Sequence, residues 1–227
     1  MPAPYAAALF DLDGTLIDSY AAIHDALNLT LRHFALEPLA LHRVRRIVGD
    51  GIESLMEKTV GKERREEGVA IFRKRYAVTG PRMTELLPGA DELTAELERR
   101  NVLMGVVSNK PSYFSVEILE ALGILDRFVI VTGPDEGFAP KPDPAMLFHT
   151  LEALEAEPEE AVLVGDMPVD VRAARAAGVD VAVLPTGSSS RNELLDARAD
   201  HVFSNLIELL QLFPPRSATV DLDAFFK

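Results

Sequence analysis

The sequence predicts an α/β fold: a doubly wound parallel sheet with an α-helical segment inserted after its first strand. Two observations support this prediction. Short apolar runs, typical of buried strands, alternate along the chain with amphipathic stretches of helical length. The alternation is interrupted between about Ser19 and Gly80, where the pattern is helical and no strand-like run occurs.

Each predicted strand is a short apolar run bounded by polar residues or glycine, as expected for strands covered by helices on both faces. The predicted strands cover residues 6–10, 102–107, 128–131, 161–164 and 181–184, and the predicted helices between them cover 90–100, 112–122, 144–154 and 169–177. In such Rossmann-like sheets ligands bind beyond the carboxyl ends of the strands. Polar residues that directly follow each apolar run are therefore the first candidates for a functional site.

The inserted segment divides into helical pieces over residues 20–34, 39–48, 52–60 and 62–76. The chain then passes through Gly80, Pro81 and Pro88-Gly89, residue types typical of a domain boundary. We therefore predict a catalytic core formed by residues 1–17 and 84–227 and a helical cap formed by residues 18–83. The cap follows the first strand directly, so we expect it to act as a lid over the carboxyl ends of the strands.

Two carboxylates follow the first strand, in the segment Asp11-Leu12-Asp13-Gly14-Thr15. Acidic side chains held this close repel each other unless a cation compensates them, and a divalent metal is the simplest such cation. Asp13-Gly14 could also be no more than a solvated turn that reverses the chain. The polar residues at the ends of the later strands favour the metal site over the solvated turn.

The second strand ends in Ser108-Asn109-Lys110-Pro111, which offers a hydroxyl and an amide side chain just before a helix. The free amides of a helix N-terminus suit an anion, although Ser-Asn is also a common helix cap. Farther along, Lys141 lies between Pro140 and Pro142, which restrict the backbone. A lysine in that frame is either a fixed positive charge beside an oxyanion or a surface loop residue.

A third strand end provides Asp166, followed by Asp170 near the start of a helix. These acids could simply favour the helix N-terminus electrostatically. Together with Asp11 and Asp13, however, Asp166 completes an oxygen-rich site of the kind that Mg²⁺ prefers.

The composition limits the partners. The chain has 227 residues and is 48% apolar, enough for a substantial core. Its 36 acidic and 23 basic residues give a net charge of -13, which argues against nucleic acid or an anionic membrane as partner. The absence of cysteine rules out disulfides and sulfur-bound metals. Residues 1–8 do not resemble a signal peptide and no apolar run approaches about 20 residues, so we expect a cytoplasmic protein that is a monomer or a homodimer.

The four motifs together resemble those of the haloacid dehalogenase-like hydrolases, and within them the phosphoglycolate phosphatase-like enzymes with a helical cap. The resemblance extends from residue 6 to about residue 213. It implies the fold of that family and a Mg²⁺-dependent phosphatase that hydrolyses a small phosphorylated metabolite, such as 2-phosphoglycolate, through an aspartyl-phosphate.

The resemblance also implies a role for each matched residue. Asp11 is the implied nucleophile, and Asp13 the implied acid and base. The implied metal ligands are the Asp11 carboxylate, the Asp13 backbone carbonyl and Asp166, with Asp170 just outside them. The residues implied to bind or support the phosphate are Ser108, Asn109, Lys141 and Thr15.

Several other functions remain open. Dehalogenating and phosphonate-cleaving members lack the second aspartate, so Asp13 argues against both. A sugar phosphomutase of the β-phosphoglucomutase type, or a pyrophosphatase, keeps the same core and is the nearest enzymatic alternative. A signalling receiver domain gathers similar residues around a phosphorylated aspartate but needs no insertion of about 60 residues. An inert homologue that only binds a partner is a further alternative.

Substrate choice is expected to lie in the cap, where Arg43 to Arg46 precede the turn Gly49-Asp50-Gly51. Either Arg45, Arg46 or the amides around Gly49 and Gly51 could hold the carboxylate of a small phosphorylated acid. The alternative is an amphipathic helix with solvated arginines. Tyr20 is expected in the cap core, and residues 214–227 form either a surface arm or a disordered tail.

Overall fold

The structure, a computed structural model, describes residues 5–215 and has eight strands and nine α-helices in that part of the chain. The strands are β1 (Ala7–Phe10), β2 (Ile17–Asp18), β3 (Glu85–Leu86), β4 (Leu103–Val107), β5 (Ile130–Thr132), β6 (Ala161–Gly165), β7 (Asp180–Val183) and β8 (His201–Val202). The helices are α1 (Tyr20–His33), α2 (Leu41–Ile47), α3 (Ile52–Val60), α4 (Arg65–Met83), α5 (Ala90–Arg99), α6 (Ser112–Ala121), α7 (Ala145–Ala153), α8 (Pro168–Ala177) and α9 (Arg191–Asp196).

Six strands form one parallel sheet in the order β5-β4-β1-β6-β7-β8. From β1 the chain first builds the sheet outward through β4 and β5, and then returns to β6 on the other side of β1. The order therefore reverses at β1, and a crevice at the carboxyl ends is expected there. The predicted doubly wound parallel sheet is confirmed.

The two faces of the sheet bury separate apolar clusters because successive side chains of a strand point in opposite directions. In β1, Ala8 and Phe10 belong to one cluster and Ala7 and Leu9 to the other. Both faces are covered, which explains why the strands are continuously apolar. The first cluster continues into α1, α3 and α4, so the helical segment shares its core with one face of the sheet.

The helical segment leaves and rejoins the rest of the chain through a short antiparallel ribbon, in which Ile17 of β2 pairs with Leu86 of β3.

The prediction of a helix ending at residue 76 is wrong. Residues Lys62–Arg64 form a 3₁₀ turn, and α4 continues to Met83 with Pro81 inside it. Gly80 is buried, and a Cβ there would lie 3.5 Å from Ile118 Cδ1 of α6, so this turn of α4 is covered by a neighbouring helix despite its unfavourable residues.

Three smaller differences concern short elements. The predicted strand 128–131 is shifted, since Leu125–Arg127 forms a 3₁₀ turn and β5 begins only at Ile130. The two-residue strands β2, β3 and β8 were not predicted. Of the predicted tail, residues 216–227 lie outside the described residues. Among residues 5–215, no helix is long and apolar enough to cross a membrane.

Candidate active site

The candidate site lies where three adjacent strands end at the same edge of the sheet. Phe10 of β1 pairs with Val106 of β4 and with Val164 of β6. Asp11, Ser108 and Asp166 directly follow these three strands and are all buried. The register therefore brings together three of the residues predicted from the sequence.

Lys141 joins two of the predicted acids. Its Nζ lies 3.0 Å from Asp11 Oδ1 and 2.7 Å from Asp170 Oδ1, and it donates to the Val107 carbonyl at 2.9 Å. The side chain is only 1% exposed. Burial by itself would lower the pKa of Lys141, but the charges of Asp11 and Asp170 outweigh it and hold that pKa well above its usual value. The ammonium is thus a fixed positive charge beside Asp11.

Asp11, Asp166 and Asp170 form a buried carboxylate cluster, with one oxygen of each within 4.8 Å of the others. Burial raises the pKa of Asp166 well above its usual value, and the charges of Asp11 and Asp170 raise it further. Asp166 accepts hydrogen bonds from Thr15 Oγ1 at 3.3 Å and from the Ser188 amide at 2.9 Å. Three carboxylates face one ammonium, so the cluster has an excess of negative charge that fits a divalent cation with oxygen ligands.

The Asp13 carboxylate is not one of these three. It accepts hydrogen bonds from the Ser19 hydroxyl and from Lys110 Nζ, the latter at 2.5 Å. Lys110 also donates to the Tyr76 hydroxyl at 2.8 Å, so this buried lysine links the acid after β1 to helix α4. Burial would lower the pKa of Lys110, but the neighbouring Asp13 and Tyr76 raise it above its usual value.

Asn109 organises the backbone around the site. Its Oδ1 accepts a hydrogen bond from the Lys141 amide at 2.7 Å, and its Nδ2 donates to the carbonyls of Lys141 and Gly49, at 3.2 and 3.0 Å. The side chain therefore positions the lysine loop and connects it to the helical segment. Thr15 supports Asp166 through its hydroxyl, as described above.

A pocket lies between these residues and the helical segment. Its apolar wall includes Ile23, Val48, Ile52, Leu55, Phe72 and Phe114, and its polar lining includes Asp11, Asp13, Ser108, Asn109, Lys110 and Ser188. The pocket thus joins the candidate catalytic carboxylates to a largely apolar cover.

Two of the four predicted cap residues line this pocket and two do not. Gly49 and Gly51 line it, and Gly51 adopts φ 87° directly before α3 begins. Arg45 and Arg46 do not belong to its described lining. Arg45 instead pairs with Asp18 at 2.7 Å, and its guanidinium lies 4.6 Å from the centre of the Tyr20 ring. The structure therefore brings the two glycines to the pocket, but neither arginine.

The sequence interpretation missed several residues of the pocket, among them Lys110, Tyr20 and Ser188. Lys110 stands at a predicted strand end, immediately after Ser108-Asn109, and that position could have identified it. Tyr20 is buried, as expected, but it also lines the pocket, where its hydroxyl lies 2.9 Å from Ser188 Oγ. Ser188 belongs to the loop after β7, and the same strand-end rule applies to it.

Two glycines allow that loop to approach Asp166. A Cβ on Gly14 would lie 2.8 Å from both Asp166 Oδ2 and the Gly187 Cα, so the two backbones are in close contact. Gly14 also has φ 83°, which favours glycine. The Thr186 hydroxyl donates to the Gly14 carbonyl at 2.6 Å. The loops after β1 and β7 therefore enclose Asp166 together.

Comparison with known proteins gives a consistent result. Residues 8–184 match the family model described as haloacid dehalogenase-like hydrolase. A phosphoglycolate phosphatase from Aquifex aeolicus is 35% identical over 90% of this chain and 94% of its own. Another phosphoglycolate phosphatase, from Rhodospirillum rubrum, is 37% identical over 89% of this chain and 88% of its own. The solved structure of a haloacid dehalogenase-like family hydrolase from Streptococcus pneumoniae superposes with a TM-score of 0.83, at 26% identity, over 92% of this chain and 99% of that one.

Proposed function

Because the chain belongs to the haloacid dehalogenase-like hydrolases and is a phosphoric monoester hydrolase, we propose that it hydrolyses 2-phosphoglycolate or a related small phosphomonoester with Mg²⁺ as cofactor. The observation that carries the proposal is the buried group of Asp11, Lys141, Asp166 and Asp170 at the ends of adjacent strands. This group offers a nucleophile, a fixed positive charge and a cation site in one place.

In the first half of the proposed reaction, a carboxylate oxygen of Asp11 attacks phosphorus and forms an aspartyl-phosphate. The bond between phosphorus and the ester oxygen breaks, and Asp13 gives its proton to that oxygen, so the alcohol leaves neutral. Ser108 and the Lys141 ammonium stabilise the phosphoryl oxygens, with Lys141 held 3.0 Å from Asp11.

In the second half, water attacks the phosphorus of the aspartyl-phosphate. The Asp13 carboxylate takes a proton from that water, the bond between Asp11 and phosphorus breaks, and inorganic phosphate leaves. Asp11 is again a free carboxylate and Asp13 is again protonated. No further reactant is required, so the enzyme can turn over repeatedly.

We propose that Asp11, Asp166 and the Asp13 backbone carbonyl hold the Mg²⁺, while Asp170 fixes Lys141. The bound ion supplies positive charge that offsets the negative charge of the carboxylates and the phosphoryl group. The excess of carboxylates over ammonium groups in the cluster supports this assignment.

The substrate is proposed to be small because the pocket lies beneath the helical segment and is partly lined by it. We propose residues 18–83 as a cap over a core formed by 1–17 and 84–227, and the ribbon of β2 and β3 supports this division. The names of the relatives from A. aeolicus and R. rubrum support 2-phosphoglycolate as the substrate.

The test is release of phosphate from 2-phosphoglycolate, sugar phosphates, nucleotides and pyrophosphate, each with Mg²⁺ and with a chelator. We expect Asp11→Asn to abolish turnover, because an amide oxygen is a poor nucleophile. Asp126→Asn, at an exposed carboxylate, is the matched control. Turnover by Asp11→Asn at the wild-type rate would refute the assignment of Asp11 as the nucleophile. Conversion between sugar phosphates without phosphate release would instead indicate a phosphomutase.

A further inference from the structure

Lys110 is the one lysine or arginine among the described residues that line the pocket. It is 8% exposed, and the apolar wall of the pocket faces the same space. The arginines expected to recognise an anionic substrate do not line this space. A second anionic group on a bound ester would therefore meet Lys110 first.

The hydrogen bonds of Lys110 leave it able to bind a ligand. An ammonium group has three N–H donors. Asp13 accepts one at 2.5 Å and the Tyr76 hydroxyl accepts another at 2.8 Å, and within residues 5–215 no acceptor is found for the third. These two bonds fix the ammonium at the pocket wall, so its third donor is available to a molecule in the pocket.

The position of Lys110 beside Asp13 determines which part of the substrate it can reach. In the proposed reaction Asp13 contacts the leaving oxygen, so Lys110 lies close to the atoms bonded to that oxygen. In 2-phosphoglycolate the carboxyl carbon is separated from the leaving oxygen by a single carbon. A carboxylate at that place is therefore within reach of the Lys110 ammonium.

Resting on the proposed function, we infer that Lys110 binds the substrate carboxylate and is the residue that selects phosphate esters of 2-hydroxy acids. The pocket also contains the Asp11 carboxylate, which repels a second anion, so a neutral pocket wall would disfavour such a substrate. In partly apolar surroundings a charge-assisted hydrogen bond is strong, and its loss is correspondingly costly.

The experiment compares 2-phosphoglycolate with its neutral carboxamide analogue, 2-phosphoglycolamide. We expect wild-type kcat/KM to favour the carboxylate by about 10- to 100-fold, the range for one hydrogen bond to a charged group. Lys110→Met should abolish this preference. Arg46→Met removes an exposed cation outside the pocket lining and should keep the preference.

Lys110→Gln covers the case in which the methionine variant does not fold, because its amide still donates to Asp13 and Tyr76 without the charge. It should also lose the preference. If both esters instead slow by the same factor and the preference persists, Lys110 acts only by positioning Asp13 and the inference is overturned. A wild-type enzyme that hydrolyses both esters equally overturns it as well. One that hydrolyses neither ester overturns this inference together with 2-phosphoglycolate as substrate, and the proposed phosphatase is overturned only if the other phosphate esters are not hydrolysed either.

Discussion

Replacing Gly187 with alanine tests whether the loop after β7 holds the Asp166 carboxylate in place. A Cβ at this position would lie 2.5 Å from Asp166 Cγ and 2.9 Å from the Gly14 Cα. Ordinary van der Waals contact begins at 3.4 Å, and Asp166 Oδ2 would be closer to the added atom than Cγ, so the carboxylate would have to move by at least about 0.9 Å. The added atom would also press on the backbone of Gly14, whereas the Asp166 carboxylate belongs to a side chain, so we expect the side chain of Asp166 to move.

A shift of that size is large for a metal site, where ligand distances are held to within about 0.2 Å. A misplacement of about 1 Å costs on the order of 100-fold in rate, which corresponds to about 2.7 kcal/mol in activation free energy. For Gly187→Ala we therefore expect kcat/KM to fall about 100-fold, and the Mg²⁺ concentration for half-maximal activity to rise about 10- to 100-fold.

The assay is phosphate release at increasing Mg²⁺, together with the melting temperature with and without the ion. Gly123→Ala is the control, since Gly123 has φ 73° with open space around its Cα, so the variant strains the backbone away from the site. It should lose stability but keep the wild-type Mg²⁺ requirement. An unchanged Mg²⁺ requirement and rate in Gly187→Ala would refute the idea that this loop places Asp166.

Two further predictions concern the charges of the cluster. Lys141→Met leaves Asp11 and Asp170 buried without their ammonium, so urea denaturation should show a loss of about 3–5 kcal/mol in unfolding free energy, partly restored by adding Asp170→Asn. A Lys141→Met protein as stable as the wild type would contradict this. The second prediction follows from Asp166, whose pKa is raised on folding, mainly by burial. The stability that this shift gives the metal-free protein is fully present below the usual pKa of 3.8. Between that value and the raised pKa, the unfolding free energy falls by about 1.4 kcal/mol per pH unit. The increase in melting temperature given by Mg²⁺ should therefore be larger at about pH 8 than at about pH 5, and Asp166→Asn should remove most of this difference; equal increases in the wild type would count against it.

Much of the core could be predicted because its strands are buried on both faces. The runs that became β1, β4, β6 and β7 are largely apolar, and a polar residue directly follows β1, β4 and β6, which is a clear signal in the sequence. The positions of Asp11 and Asp166 at a common edge follow from that pattern alone. The two-residue strands carry no comparable signal, since two residues show no periodicity.

The errors arise where tertiary contacts override local preference. Gly80 and Pro81 favour a break, yet α4 continues through them, and the buried Gly80 faces Ile118 of α6, where a Cβ would lie 3.5 Å from Ile118 Cδ1. The role of the cap arginines stays a prediction: charge in a sequence suggests anion binding, but the pairing of Arg45 with Asp18 across 27 positions is not visible in sequence spacing. Lys110 lies close to a predicted strand end, but its contact with Tyr76 of α4, 34 positions away, is not visible in the sequence.

The ribbon of β2 and β3 has a consequence for how this protein can be altered. Ile17 lies opposite Leu86, so the segment between them begins and ends at neighbouring points. A replacement segment whose termini are similarly close and whose apolar face covers the same side of the sheet could be joined at these two positions. The carboxylates after β1 would remain on the recipient framework while the donor helices supplied a new cover, so we expect such an exchange to change which substrates fit the pocket.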